Sequence, residues 1–489
     1  MSSEHDPRFP DLSEDSDDAP RTRRSPFVTV IAVLVVLAIA ASLIISVPGA
    51  FAGAQEGRIP EVASPEQDRA GGALDDETRD GIRAAIEDST AGASGVMVID
   101  PASEEVLFAQ GQGEDLVPAS NQKILTLFAL LSSTGPDQRL ATAAVAGETS
   151  NDVVLVAGGD TLLSPGEGDP GAVMGRAGIE DLAVSTAEAM VEDVDPQQPV
   201  RVAVDTSLFS GPELNPAWQA GDIASGQIGA IAPLAFDSHR VPGRGGGYDA
   251  DPVASVSEAF EEKLAAQLGE RTGRDVEVES AGELDTGADP MLPADQQEGV
   301  TELARVESAP VQEQAGVMMR ESDNRLAETL GRVAAVSAGH DGSVEGLQQT
   351  LRESAREALG QEAVEGLSVV DASGMTMDNR VSAEVLGGLL RIAAADETGR
   401  FAPMAGTFPV GGVSGTLAER FDDPDEAAAR SVTRAKTGTL NVVTALSGQT
   451  IRPDGRPVVV VVVFDDVEDT GAARDAADRL YALVAADGA

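Results

Sequence analysis

The chain has 489 residues and a formal net charge of −48, with 82 acidic residues against 34 basic ones; such a surface repels phosphate backbones and excludes nucleic acid as a partner. It holds no cysteine and three histidines, His5, His239 and His340. Disulfides, zinc–thiolate sites and thiol nucleophiles are therefore excluded, a histidine-rich metal site has too few ligands, and nothing in the composition asks for a cofactor.

Residues 1–24 are polar and acidic, end in Arg21, Arg23 and Arg24, and read as a disordered cytoplasmic tail. Residues 25–47 contain the uncharged stretch Phe27–Val47, about long enough to cross a ~30 Å hydrocarbon core as a helix. Arginines before it and acidic sequence after it place the N-terminus inside and the bulk of the chain outside the cytoplasm. Ala50-Phe51-Ala52 resembles a cleavage site, so the segment is either an uncleaved membrane anchor or a signal segment that is removed. Residues 48–72 form a linker.

Residues 73–139 read as the first part of a catalytic domain. An amphipathic helix spans Leu74–Ile86, and Val96–Ile99 and Val106–Phe108 flank a turn as a hairpin. Next comes Pro118-Ala119-Ser120-Asn121-Gln122-Lys123, leading into an apolar run through Leu131 that reads as a buried helix. Ser120 in the first turn and Lys123 three residues on share one face at the positive end of the helix dipole. A serine needs a neighbouring base to act as a nucleophile, and a partly desolvated lysine is one. The only lysines in the chain are Lys123, Lys263 and Lys436; arginine, used everywhere else, cannot give up its proton at usable pH.

Residues 140–300 change texture, with short β-like pieces such as Val153–Val156 and Val200–Val204 between Gly/Pro-rich turns, and read as one or two inserted domains. The glycine-rich run Gly243–Tyr248 lacks the Gly-Lys-Ser/Thr of a phosphate cradle. Residues 301–489 read as the second part of the catalytic domain, with regular helical pattern resuming near Glu302. There Ser322-Asp323-Asn324 interrupts helical sequence, and Asp371-Ala372-Ser373-Gly374 and Asp378-Asn379-Arg380 precede a helix over Ser382–Ala394. Arg434–Thr439 leads into a strand over Val442–Leu446, Val458–Phe464 reads as a strand buried on both faces, and Arg474–Val484 is a last helix. Terminal hairpins and helices sharing one antiparallel sheet give an α+β domain split by a β-rich insertion.

Ser120-x-x-Lys123, Ser322-Asp323-Asn324 and Lys436-Thr437-Gly438 each occur once, in the order that marks penicillin-binding proteins and class A β-lactamases. With Asp371-x-Ser373-Gly374 and Lys436-Thr437-Gly438-Thr439, the chain resembles the D-alanyl-D-alanine carboxypeptidase/endopeptidase family, the class C low-molecular-mass penicillin-binding proteins of the penicillin-binding protein 4 type, over roughly residues 75–489. The resemblance implies a penicillin-binding-protein/β-lactamase-like fold, peptidoglycan stem peptides as substrate and β-lactam antibiotics as covalent inhibitors. It implies Ser120 as nucleophile, Lys123 as base, Ser322 as proton relay, and Asn324 holding Lys123 and the substrate amide. Lys436 would supply positive charge, Thr437 and Gly438 would line the substrate's carboxylate site, and the N–H groups of Ser120 and Thr439 would form the oxyanion hole. Asp371, Ser373 and Arg380 are read as structural.

Two other readings share the fold. A class A β-lactamase carries a Glu-x-x-x-Asn loop between the second and third motifs, but Asn379 is the only asparagine between Arg325 and Ala435 and Met375 stands four before it. The Tyr-x-Asn of class C β-lactamases is missing too, as the only tyrosines are Tyr248 and Tyr481. The other is a catalytically idle wall-binding scaffold. The motifs do not separate carboxypeptidase from endopeptidase, and they leave the oligomeric state open.

Overall fold

The computed structural model describes residues 72–241, 247–292 and 296–488. The tail, the hydrophobic segment and all of the linker but Gly72 lie outside them, as does Gly243–Gly246 of the glycine-rich run. Among the described residues no helix is long and apolar enough to cross a membrane.

Helix α1 (Asp76–Asp88) starts where the Asp75 carboxylate accepts the Thr78 N–H at 2.6 Å, and buries Ile82, Ala85 and Ile86. Strands β1 (Ala91–Ile99) and β2 (Val106–Gln110) form the expected hairpin. A single 3₁₀ turn over Ala119–Asn121 then enters α2 (Gln122–Ser133), whose residues from Gln122 to Leu131 are all buried.

The following segment builds its own sheet. Strands β3 (Ala141–Ala146) and β4 (Asp152–Ala157) pair antiparallel. Helix α3 (Ile179–Met190) crosses to β5 (Val200–Asp205), which runs parallel to β4. Past the short α4 (Ala220–Ala224), helix α5 (Pro252–Thr272) crosses to β6 (Val278–Glu283), parallel to β5. Parallel neighbours need such helical crossovers, so this region holds two substantial helices besides its strands. Strand β7 (Glu302–Glu307) returns beside β3, giving the order β6-β5-β4-β3-β7. The helical pattern expected near Glu302 therefore begins one element later, because Glu302–Glu307 is taken as a sheet edge.

Helices α6 (Val311–Glu321), α7 (Asn324–Ser337) and α8 (Val344–Leu359) follow, then α9 (Ala383–Ala394), capped by Ser382 on the Val385 N–H, and the short α10 (Met404–Thr407). Strands β8 (Arg434–Leu440), β9 (Val443–Ile451) and β10 (Pro457–Val467) and helix α11 (Thr470–Ala486) close the chain. They join the first hairpin in a fully antiparallel sheet of order β2-β1-β10-β9-β8.

Strand β10 explains how this sheet is held. Val458, Val460, Val462 and Phe464 pack with Ile82 and Ile86 of α1 and Leu480 and Val484 of α11. Val459, Val461 and Val463 face the other way, into a core shared with α2, α7, α8 and α9. The strict alternation sends every second residue to opposite faces, and each buried valine contributes about 1.5–3 kcal/mol. Helix α2 sits inside the second core, in contact with α7, α8 and α9. The residues that begin it cannot shift without disturbing that core.

Candidate active site

Ser120 stands one step ahead of where the sequence placed it. It lies in the 3₁₀ turn that precedes α2, while Lys123 lies in the first turn of α2 itself. A 3₁₀ turn eclipses residues three apart, so the pair still meets: Lys123 Nζ donates to Ser120 Oγ at 3.1 Å. Ala119 enters the turn at φ 46°, a left-handed conformation that costs a non-glycine residue about 1–2 kcal/mol. The turn is held from below by Gly374, where an added Cβ would stand 1.9 Å from the Ala119 carbonyl oxygen.

Asn324 arrives from the junction of two helices. Ser322 ends α6 in a left-handed conformation at φ 56°, and Asp323 caps α7 by accepting the Leu326 N–H at 3.0 Å. The other Asp323 oxygen pairs with Arg240 at 2.8 Å. The triplet thus caps a helix and also aims a functional group, because this turn points the Asn324 side chain at Lys123. Lys123 Nζ donates to Asn324 Oδ1 at 2.7 Å and to the Ser373 carbonyl oxygen at 2.7 Å.

Strand β8 forms the opposite wall. Lys436, Thr437 and Gly438 lie inside the strand and not in a turn at its end. Gly438 lets the strand run against the serine turn, since an added Cβ would lie 3.2 Å from the Ser120 nitrogen and 3.0 Å from the Pro118 oxygen. Strand β8 is the last of its sheet, and the Ala435 N–H donates outward to Pro409 O at 3.2 Å. Strand alternation then turns the N–H groups of Thr437 and Thr439 to the same open edge. Lys436 is buried and donates to the Thr437 carbonyl oxygen at 2.7 Å, and the Thr437 hydroxyl donates to Thr416 Oγ1 at 2.8 Å.

These walls enclose a cleft of about 790 Å³ lined by Ser120, Ser322, Asn324, Thr437 and Thr439. Both lysines behind it are fully buried, and burial penalises an ammonium ion. Burial brings Lys123 down to about 8, against the opposing pull of the Asp371, Glu328 and Asp323 carboxylates. Burial, with a smaller contribution from the charge of Lys123, holds Lys436 well below the usual lysine range. An amine that loses its proton near neutrality, within hydrogen-bond reach of a serine hydroxyl, is equipped for general-base chemistry.

The sequence pattern of the D-Ala-D-Ala carboxypeptidase 3 (S13) family matches residues 79–245 and 283–486 of the chain. The chain belongs to this S13 family. The S13 chain is 32% identical over 408 residues to carboxypeptidase DacB of Mycolicibacterium smegmatis, covering 82% of each protein. It is 30% identical over 468 residues to the D-alanyl-D-alanine carboxypeptidase of Actinomadura sp. strain R39, covering 82% of this chain and 83% of that one. Its fold is similar to the crystal structure of penicillin binding protein 4 from Haemophilus influenzae, with a TM-score of 0.60 at 17% identity over 82% of this chain and 99% of that one. The S13 chain is thus a serine peptidase of carboxypeptidase type with an α+β penicillin-binding-protein fold.

Several residues around this S13 site escaped the sequence reading. The segment between β5 and α5 reaches into the cleft with Asp222 and Gln227, and the Gln227 carbonyl oxygen accepts from Asn324 Nδ2 at 2.9 Å. Trp218 Nε1 donates to Asp371 Oδ2 at 3.1 Å. Asp371 also accepts from Gly374 N and Asn379 Nδ2, each at 2.8 Å, and from Thr376 N at 3.0 Å. Arg380 donates to the carbonyl oxygens of Met377 and Asn379. Sequence gave no signal for Gln227 or Trp218, which arrive through tertiary contact. Glu328 did leave one, as an acid four residues after Asn324 on the same helical face.

Proposed function

We propose that this S13 carboxypeptidase hydrolyses D-alanyl peptide bonds of peptidoglycan stem peptides through an acyl-enzyme on Ser120. The observation that carries this reading is Lys123 Nζ, 3.1 Å from Ser120 Oγ and 2.7 Å from Asn324 Oδ1, in an open cleft. As Ser120 Oγ bonds to the D-alanyl carbonyl carbon, its proton passes to Lys123. The developing oxyanion is met by the N–H groups of Ser120 and Thr439, each such donor being worth about 3 kcal/mol. Ser322 then relays the proton to the leaving D-alanine nitrogen as the peptide C–N bond breaks. Water takes the reverse route to release the shortened peptide and restore Ser120. Asn324 positions Lys123 and the substrate amide.

The C-terminal carboxylate of the substrate is assigned to Thr437 and Lys436, beside Gly438. Burial holds Lys436 well below the usual lysine range, and a substrate carboxylate beside it would favour its ammonium form. A β-lactam presents a comparable carboxylate and carbonyl to the same groups, and the Haemophilus influenzae protein has been solved with a β-lactam bound. The S13 chain is expected to be acylated by penicillin and to release it slowly, lacking the Glu-x-x-x-Asn element of class A enzymes. Residues 140–300 are assigned to the insertion between the halves of the catalytic domain. Residues 25–47 are assigned to a membrane anchor or a cleaved signal segment, with the catalytic part working outside the cytoplasm.

The test is incubation of the purified protein with intact and cross-linked muropeptides, followed by mass spectrometry. Loss of one alanine from pentapeptides marks carboxypeptidase action, and conversion of dimers to monomers marks endopeptidase action. Neither product, or equal product from Ser120→Ala, refutes the proposal.

A further inference from the structure

Behind the serine–lysine pair lies a loop, 371–374, whose Ser373 carbonyl oxygen accepts a hydrogen bond from Lys123 Nζ. Its other side is gripped by a buried acid. Glu328, 1% exposed and one helical turn beyond Asn324 on α7, accepts the N–H groups of Ala372 at 3.0 Å and Ser373 at 2.8 Å on one oxygen. The Thr126 hydroxyl, from α2, donates to the Ala372 carbonyl oxygen at 2.7 Å. The Ala372–Ser373 stretch is therefore pinned on its N–H side by α7 and on its carbonyl side by α2.

This matters for the direction in which Lys123 points. A neutral amine has two N–H bonds and one lone pair arranged about Nζ. The two shortest contacts, Asn324 Oδ1 and Ser373 O, each at 2.7 Å, take the two N–H bonds. The remaining direction, along the 3.1 Å contact, leaves the lone pair facing Ser120 Oγ. If the Ser373 carbonyl moved away, the amine would turn freely and an N–H would face the serine for part of the time.

We infer that Glu328 is a positioning residue for the reaction: by holding the Ala372 and Ser373 amides it sets the Ser373 carbonyl that aims the Lys123 lone pair at Ser120. The inference rests on the reading of Lys123 as the base. The charges around the two groups are consistent with it. Lys123 faces Asp371, Glu328 and Asp323 together with Lys436, and Glu328 faces Asp371 and Arg332. Burial and the Asp371 carboxylate push Glu328 up to about 8, so near neutrality it holds its proton and still offers its carbonyl oxygen to the two amides. Gln reproduces that neutral acceptor, whereas Ala removes it.

The experiment compares acylation by a fluorescent penicillin across pH 6–10 in the full chain and its variants. Glu328→Ala is expected to be acylated about 10–100-fold more slowly at pH 7, the scale of loss that follows misplacement of a reacting group by about 1 Å. Glu328→Gln is expected to keep the wild-type rate at pH 7 within a few-fold. Its midpoint should move down by about half a pH unit, because the negative charge that appears on Glu328 and opposes proton loss from Lys123 is gone. Acylation of Glu328→Ala within about twofold of wild type, or an unmoved midpoint in Glu328→Gln, overturns the inference. If Glu328→Ala does not fold, Glu328→Asp, too short to reach both amides, takes its place, and a wild-type rate there overturns it equally. Failure of wild type to label, or labelling of Ser120→Ala, would instead overturn the assignment of the base and nucleophile.

Discussion

The burial of Lys123 makes a prediction with a size and a sign. Burial brings its amine down to about 8. On the proposed mechanism, proton transfer from Ser120 needs the neutral amine, whose fraction is about one-tenth at pH 7, one-half at pH 8 and nine-tenths at pH 9. Acylation by a fluorescent penicillin under single-turnover conditions should therefore rise about tenfold from pH 7 to pH 9 and then level off. The same burial acts on stability. An unfolded lysine keeps its proton to about 10.4, so between pH 8 and that value the unfolded state binds more protons and folding gains as pH rises. The gain is roughly 3 kcal/mol for Lys123, and Lys436, also held low, adds in the same direction. Lys123→Arg keeps a cation that cannot deprotonate; it should lose acylation by about 10²–10⁴-fold and lose the pH dependence with it. An acylation rate that stays flat or falls from pH 7 to pH 9 in folded wild type would refute the reasoning.

Four further outcomes follow from the packing. Gly374→Ala, which sets a methyl 1.9 Å from the Ala119 oxygen at φ 80°, should displace the serine turn and slow acylation about 100-fold, read by the same labelling. Trp218→Phe removes one donor from the buried Asp371 carboxylate and should cost about 1–3 kcal/mol in urea unfolding. As Trp218 is the only tryptophan, wild-type emission should shift when Ser120 is acylated, and no shift on full labelling would count against the link from Asp371 to the site. Leu130→Ala, in the buried core around α2, should destabilise by about 2–5 kcal/mol while leaving the acylation rate of the folded fraction unchanged.

Much of the catalytic half could be read from residue order, because its signals are local. The alternation through Val458–Phe464 marks a doubly buried strand, and the cores on its two faces match that pattern. Ser120 and Lys123 meet because three residues in a tight turn must. What resisted reading depends on distant contacts. Glu302–Glu307 carries charged residues on a sheet edge, where period two is weak, and only its pairing with β3 makes it a strand. Lys436-Thr437-Gly438 is hard to read as strand by composition, since glycine weakens a strand and favours turns. It is strand because each of the three pairs with a residue of β9, and Gly438 leaves room for the serine turn beside it. The parallel pairing of β4, β5 and β6 lies in helices that separate short apolar runs, and the run alone does not tell parallel from antiparallel. Gln227 and Trp218 reach the site by way of the chain's tertiary course.

The strand order β2-β1-β10-β9-β8 also sets a timetable for the newborn chain. Strand β1 is among the first elements made, yet its central partner β10 is among the last, and the Asp75 N–H closes onto the Asp487 carboxylate 412 residues away. At about 5–20 residues per second, synthesis of that interval takes roughly 20–80 s. During this time the first hairpin and the serine turn have no sheet to lean on. The β3–β7 sheet has all its strands between Ala141 and Glu307 and can close far earlier. The proposed nucleophile is thus made early and armed last. Until β8 and β10 arrive, Ser120 has no wall opposite it, and an unfinished chain carries the serine without the means to use it.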